Sequence, residues 1–366
     1  MSAASVDILL SLYHPNEAYL RQQLFSLNAQ TYPRLRLLVR IDEERSAAGG
    51  GKAGELVLTE RKKADKAALG EQEKIGDALL VDREKIGESV LTAREKHIES
   101  ILAQCMASFP WRMLPSSGNV GYVKSFELLT AAATADYISY CDQDDIWDAD
   151  KIEATVRYME ETGAVLAGTD YRLIDGEGRL LCASWRHTQN TDNTNWHTGD
   201  DITEKSLFRN YAAGFTMTAR REAAQRCLPF SPHTGHDHWL PSCLSLLYPG
   251  KIANLDRPLA SWRRDGGNTS GNFWKGVTSK AAYRRRWVEP SVLAVRDFLK
   301  RFPQYEKKDE AAAFCRARER GDVRGLWKYR RLSPRAAKGE ILIALLPDWV
   351  LRWYAGRMER KYRGVD

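Results

Sequence analysis

Five residues of strand length, Tyr137 to Cys141 (YISYC), run without a spacer into Asp142-Gln143-Asp144-Asp145. Few folds put carboxylates at the tip of a buried strand. Open α/β sheets do, because their ligands bind in the crevice beyond the carboxyl ends of the strands. Residues two apart in an extended chain face the same way, so Asp142 and Asp144 can both look into such a crevice. Hard oxygen ligands there suit Mg2+ or Mn2+, which need one or two carboxylates and complete their shell with substrate phosphates. Such an ion neutralises charge growing on a departing diphosphate. Taken alone the triplet is weak: about one Asp-x-Asp is expected by chance in a chain this long, and a surface acidic turn would read alike. Its position carries the information. Ile146-Trp147 follows, then a helix with Ile152, Thr155, Val156 and Met159 on one face.

The frame around it reads as α/β. Val6 to Leu12 is an apolar run of strand length, broken by His14-Pro15-Asn16. Asn16 can cap a helix with Glu17 in its first turn and Leu20, Leu24 and Leu27 at helical spacing. Leu35 to Ile41 is a second buried strand that finishes at Asp42, so the opening is a βαβ unit with a right-handed crossover. A turn at Ser116-Ser117-Gly118-Asn119, a helix from about Tyr122 to Ala133, strands at Ala164 to Ala167 and Phe215 to Thr218, a hairpin turn at Asp175-Gly176 and a helix from His236 through Leu247 continue the pattern.

Between Ser46 and Gln104 the texture changes. After Gly49-Gly50-Gly51 come three copies of an 11-residue unit, Glu73-Lys74-Ile75, Glu84-Lys85-Ile86 and Glu95-Lys96-His97, with apolar sites at Leu79, Val90 and Ile101 and at Leu80, Leu91 and Leu102. Eleven residues nearly match three helical turns, which predicts a long amphipathic helix or helical pair. It reads as a solvated structural insertion or as an oligomerisation or acceptor-docking helix.

Two acidic positions besides the triplet attract a role. Asp42, ending the second strand on the same sheet edge, can accept hydrogen bonds from a nucleobase or ribose, although a helix cap or solvated loop would serve as well. Asp237 falls in the first turn of the helix at 236, where the dipole favours its charged form and suits it to take a proton from an attacking hydroxyl. The alternative is a plain N-terminal helix charge. His236 is open between a ligand, an orienting group and a packed core histidine.

These stretches together resemble family 2 glycosyltransferases of the GT-A fold, and within them the rhamnosyltransferase-like branch of bacterial polysaccharide synthesis. The resemblance rests on ILLSLYHPNEAYLRQQLFSLNAQTYP, NVGYVKSFE, YISYCDQDDIWDADKI, NYAAGFTMTARRE, HDHWL and PLASWRRDGGNTSG. It covers about residues 5–46 and 117–271. It implies that Asp42 contacts the nucleoside, that Asp142 and Asp144 bind Mg2+ or Mn2+, and that Asp145 lies against the donor sugar or diphosphate. Asp237 matches the general base, with His236 and Trp239 lining the acceptor side. Tyr13, Lys124 and Arg263 fall where the family touches its substrate. Two departures stand out. Ile41-Asp42-Glu43-Glu44 replaces Asp-Asp-Gly-Ser, and Asp265 stands where many members carry a histidine.

The expected architecture is therefore a GT-A-like α/β catalytic domain over residues 1–271, with a mixed, mainly parallel sheet and the insertion at 46–104, followed by a basic helical extension over 272–366. The reaction expected is inverting transfer of a sugar, L-rhamnose from dTDP-L-rhamnose on the branch resemblance, to a hydroxyl of a glycan or lipid-linked glycan. A metal-dependent phosphohydrolase built on His236-Asp237 and a non-catalytic scaffold are the rival readings.

The net charge of +7 belongs to the extension: from Asn272 onward 24 basic and 11 acidic residues give +13, leaving −6 for the rest. Arg284-Arg285-Arg286-Trp287, Trp327-Lys328-Tyr329-Arg330-Arg331 and Ile341 to Tyr354 interleave cations, aromatics and aliphatics, interrupted by Pro347, Asp348 and Arg352. That mix suits an in-plane contact with an anionic membrane. Packing on the catalytic domain is the plainer alternative, and no nucleic-acid motif is present. Six scattered cysteines with no C-x-x-C pair, no basic leader and no spanning run lead to the expectation of a cytoplasmic protein peripheral to the inner face of the plasma membrane.

Overall fold

The computed structural model describes residues 3–43, 92–116, 118–188, 196–264 and 274–362. The opening βαβ unit forms as its pattern predicts. β1 (Val6–Leu12) and β2 (Leu35–Ile41) run parallel from Val6 opposite Leu35 to Leu12 opposite Ile41. Between them lies α1 (Glu17–Asn28), whose first turn is closed by the Asn16 side chain accepting from the N–H groups of Ala18 and Tyr19. α2 (Ala93–Cys105) begins with a capping box in which Thr92 and Glu95 satisfy each other's backbone N–H groups. It contains the last of the three 11-residue copies; the first two, and Asp265, lie outside the described residues.

The chain continues through β3 (Trp111–Met113), α3 (Tyr122–Ala132), β4 (Tyr137–Cys141), β5 (Ile146–Trp147), α4 (Lys151–Thr162), β6 (Leu166–Ile174), β7 (Leu180–Cys182), β8 (Thr218–Arg220), α5 (His236–Leu247) and β9 (Ile252–Arg263). The strands form one sheet in the order β3-β2-β1-β4-β8-β6-β9-β5, with β7 beside β6. β3, β2, β1 and β4 are mutually parallel, as are β6 and β9; β8 runs against both β4 and β6, β5 against β9 and β7 against β6. The sheet is mixed, and its parallel half carries the acidic strand tip. Alternate residues of β1 divide between two cores. Ile8 and Leu10 pack with Leu20, Leu24 and Ile98 on the α1–α2 face, while Leu9 packs with Phe126, Leu129 and Trp239 on the α3–α5 face. The expected strand at Phe215 instead begins with a tight turn, Gly214–Thr216, before β8. Close packing explains it: a methyl group at Gly214 would come within 2.8 Å of the His236 ring.

The extension folds into α6 (Glu289–Arg301), α7 (Lys308–Arg320), α8 (Val323–Lys328), α9 (Pro334–Leu345) and α10 (Asp348–Tyr362). Its apolar residues Val292, Phe298, Phe314, Leu326 and Leu351 join the same core as Leu9 and Trp239. Phe208 and Phe314 meet edge to face at 5.1 Å, and Ser231 donates to Asp297 at 2.7 Å. Inside the extension a buried ion pair fastens α7 to α9: Arg318 donates to both Glu340 carboxylate oxygens and to Ser291. Packing thus accounts for one side of these helices. The other side of α9 and α10 leaves Leu342, Leu345, Trp349 and Trp353 exposed, Trp349 at 72%. Among the described residues no helix is long and apolar enough to cross a membrane.

Candidate active site

The acidic loop leaves β4 at the carboxyl end of the parallel strands and is held there from several directions. Gln143 locks it to the end of β1: the Tyr13 N–H donates to its side-chain oxygen at 2.9 Å, and its amide donates to the Tyr13 carbonyl at 3.0 Å. Downstream, the Gln30 amide donates to the Asp148 carbonyl at 2.7 Å while its oxygen accepts from the Ile152 N–H at 3.2 Å, seating α4 behind the loop.

Arg263, on the last strand, is 1% exposed. Its guanidinium donates to the carbonyls of Asp144, Asp175 and Gly176 and to the Gln22 side chain, and lies over the Tyr19 ring at 4.4 Å. The expected substrate contact is in fact a clamp: its donors face backbone from the acidic loop and the β6–β7 turn, and no open face remains for a ligand.

Asp142 and Asp144 are partly buried and Asp145 is fully buried. Burial, then Asp144 and Asp237, push the Asp142 carboxyl up to about 7. Asp145 is raised well above the carboxylate range by burial and by Asp142 and Asp144. It accepts one hydrogen bond, from the Arg263 N–H, and its Oδ2 has no partner. Carboxylates crowded into a desolvated site with an unsatisfied oxygen fit a divalent cation, which would reverse that mutual repulsion. Among the described residues no group of three or more His, Cys, Asp or Glu side chains forms a metal cage. An ion held by these carboxylates would complete its shell with substrate oxygens.

Asp42 is 2% exposed and already engaged: its Oδ1 accepts from Arg40 at 2.7 Å and from the Val120 N–H at 2.8 Å. Arg40 continues to Ser125 and the Gly118 carbonyl, so the carboxylate ties the end of β2 to the segment leading into α3. Glu43, in the departing position, accepts from the His14 N–H and from Arg94. Tyr13 is half exposed at the rim, whereas Lys124 is paired with Glu127 on its own helix.

Asp237 stands at the start of α5 in the same charged neighbourhood as Asp142. Its carboxyl is pushed up to about 6 by burial, against the opposing pull of the Asn210 amide, which donates to it at 2.6 Å, and of the first-turn N–H groups. Gly235 makes room for it; a methyl group there would fall 2.2 Å from Asp237 Oδ1. Its neighbours turn the other way. His236 is 4% exposed, packed against Phe126 at 4.1 Å and Tyr140 at 4.7 Å, with neither ring nitrogen hydrogen-bonded. Burial lowers it to about 3, so it is neutral. Trp239 is buried as well and donates to the Cys227 carbonyl at 2.9 Å. Both were expected on the acceptor side; the helical period instead puts positions 236, 239, 240 and 243 on the core face. His236-Asp237 consequently does not present a ligand doublet, which removes the structural basis of the phosphohydrolase reading.

Three further side chains had not been singled out. Asn210 holds Asp237. Tyr122, first residue of α3, has its hydroxyl in the field of both Asp237 and Asp142. Lys151 is wholly buried beneath the acidic loop, 3.5 Å over the Trp147 ring and 3.4 Å from Ser139 Oγ, and burial lowers it to about 7. A lysine four residues after an aromatic, just behind an acidic run, was the available signal for the last.

Residues 94–222 match the model of glycosyl transferase family 2; the match includes Asp142 to Asp145 and stops short of Asp237. The mannosyltransferase PcManGT from Pyrobaculum calidifontis, solved with GDP-Man and Mn2+, superposes with a TM-score of 0.50 at 12% identity over 99% of this chain and 83% of its own. The fold is GT-A-like. TarS 1–349 of S. aureus, in complex with UDP-GlcNAc, gives a TM-score of 0.47 at 11% identity, covering 98% of this chain and 92% of its own. By sequence, an uncharacterized glycosyltransferase of Nostoc sp. is 23% identical over 58% of this chain and 66% of its own. TuaG of Bacillus subtilis, a glycosyltransferase named for teichuronic acid biosynthesis, is 27% identical over 47% of this chain and 62% of its own. The chain thus spans just under two thirds of the length of these two relatives. The sequence likeness to family 2 is thus confined to residues 94–222, and the structural likeness is one of fold.

Proposed function

We propose that this protein is an inverting glycosyltransferase of cell-envelope polysaccharide synthesis. In this reading it transfers a sugar from a nucleotide-diphosphate donor to a hydroxyl of a glycan or lipid-linked glycan. The observation that carries the reading is the placing of Asp237 near the acidic strand tip, close enough for its charge to raise the Asp142 carboxyl. Asp142 and Asp144 would hold the Mg2+ or Mn2+, which when bound supplies positive charge opposite the diphosphate. Asp145 faces the donor side, fixed by the clamp of Arg263. Asp237 accepts the proton of the acceptor hydroxyl; the oxygen bonds to the anomeric carbon from the face opposite the diphosphate, and the nucleoside diphosphate leaves with the electron pair of the broken bond. Configuration inverts. A carboxyl poised near 6 is a working base at neutral pH.

The branch resemblance makes dTDP-L-rhamnose the donor to test first. GDP-Man with Mn2+ on PcManGT and the envelope polymer in the name of TuaG support the wider class. The exposed aromatic and aliphatic side of α9 and α10, amid the basic residues of the extension, supports peripheral contact with an anionic membrane, where a lipid-linked acceptor resides.

A screen of nucleotide sugars for Mn2+-dependent thermal stabilisation identifies the donor, since ligand binding to the native state raises apparent stability. Sugar transfer with that donor is then followed in the parent and in Asp237→Asn. The substituted protein should bind donor normally and lose transfer by about 100-fold or more, the scale of a lost general base. Undiminished transfer would remove Asp237 from the mechanism, and phosphate release without an acceptor would revive the hydrolase.

A further inference from the structure

Tyr122 is 58% exposed, and Val120, two residues before it, is exposed as well. Its hydroxyl nevertheless turns inward. A methyl group at Gly235 would meet that hydroxyl at 3.4 Å and Asp237 Oδ1 at 2.2 Å, so the phenol and the carboxylate flank a single point. The charge of Asp142 acts on the same phenol. Tyr122 is therefore a largely exposed aromatic whose polar tip lies at the junction of the two acidic centres. A ring open on one face packs against the C–H side of a sugar, and a phenol can both donate and accept.

We propose that Tyr122 positions the acceptor, its ring supporting the acceptor sugar and its hydroxyl donating a hydrogen bond to the oxygen whose own proton Asp237 takes. The proposal rests on the transferase reading above. The phenol keeps its proton throughout; its work is to fix the direction of the attacking lone pair. Among the described residues no other candidate combines an exposed aromatic with a hydroxyl against the base. The aromatic pocket of Tyr171, Trp185, Trp196 and Tyr211 is too constricted for a sugar, and the cleft between Asp7, Arg34 and Arg36 opens at the opposite end of the strands.

The test compares Tyr122→Phe and Tyr122→Leu with the parent, using the donor found in the thermal screen and a glycan acceptor. Tyr122→Phe keeps the ring and should lower kcat about tenfold with little change in acceptor KM, the size of one hydrogen bond. Tyr122→Leu should also raise acceptor KM several-fold. Donor stabilisation with Mn2+ should stay at parental level in both. Parental kcat and KM in Tyr122→Leu would overturn the proposal, as would loss of donor stabilisation in a variant whose ligand-free melting is unchanged. Asp237→Asn, run alongside, separates the two claims. If it transfers normally the underlying mechanism fails; if it is inactive and Tyr122→Leu is indistinguishable from the parent, only the tyrosine assignment fails.

Discussion

Asp237 combines a partly buried carboxyl, a hydrogen-bonded amide and a helix start, and these set the pH at which it can act. Raised to about 6, it is ionised at neutral pH and protonated below. The transfer rate should therefore fall about tenfold per unit as pH drops beneath about 6, read from kcat/KM profiles, and Asn210→Ala should shift that profile upward. His236 gives the opposite kind of signal, one of stability. Folded, it is lowered to about 3, whereas the unfolded imidazole takes a proton near pH 6.5. Its contribution is complete above that value and drains away as pH falls. The loss should reach about 2 kcal/mol by pH 5, and His236→Phe should abolish that part of the pH dependence in urea titrations. The sequence made Asp237 legible because a carboxylate in a first helical turn has a local cause. It did not separate His236 and Trp239 from ligand-facing residues, because a facing direction depends on where the helix lies on the sheet.

Elements were legible where their signals were local. The strand of YISYC, the Asn16 cap and the turn at Asp175-Gly176 depend on residues within a few positions of one another. Arg263 could not be read in this way. Its role is fixed by the carbonyls of Asp144, Asp175 and Gly176 and the side chain of Gln22, all brought to it by tertiary folding. The pairing of α7 with α9 was equally invisible, since Arg318 and Glu340 lie 22 residues apart in a segment of mixed charge. Removing one partner leaves the other charged and uncompensated in the interior. Glu340→Ala should accordingly cost about 3–5 kcal/mol in denaturant unfolding, with far less effect on donor affinity in the protein that remains folded.

At the scale of the molecule, the charge asymmetry and the aromatic content of the extension were plain in the sequence, but two alternatives stood there as rivals. The structure shows the packing: α6, α7 and α8 extend the catalytic core, while α9 and α10 turn Leu342, Leu345, Trp349 and Trp353 outward. If that outward side meets a bilayer, Trp349→Ala with Trp353→Ala should sharply reduce cosedimentation with vesicles containing anionic lipid, leave transfer to a water-soluble acceptor unchanged, and spare the melting temperature. Unaltered cosedimentation would assign the stripe elsewhere. The exchange of a strand for a tight turn at Gly214 belongs to this scale too, because only the placing of α5 reveals that a ring occupies the space a side chain would need.

Asp42 touches two territories at once. One carboxylate oxygen receives both the Arg40 guanidinium on the second strand and the N–H of Val120, two residues before Tyr122. A nucleoside arriving at that strand end would steady the very backbone from which the tyrosine is hung. Were that so, the kinetics would follow a compulsory sequence, donor before acceptor, visible as competitive inhibition by the nucleoside diphosphate against donor and a non-competitive pattern against acceptor. Asp42→Ala should blur that order, letting the second substrate collide with an unprepared cleft.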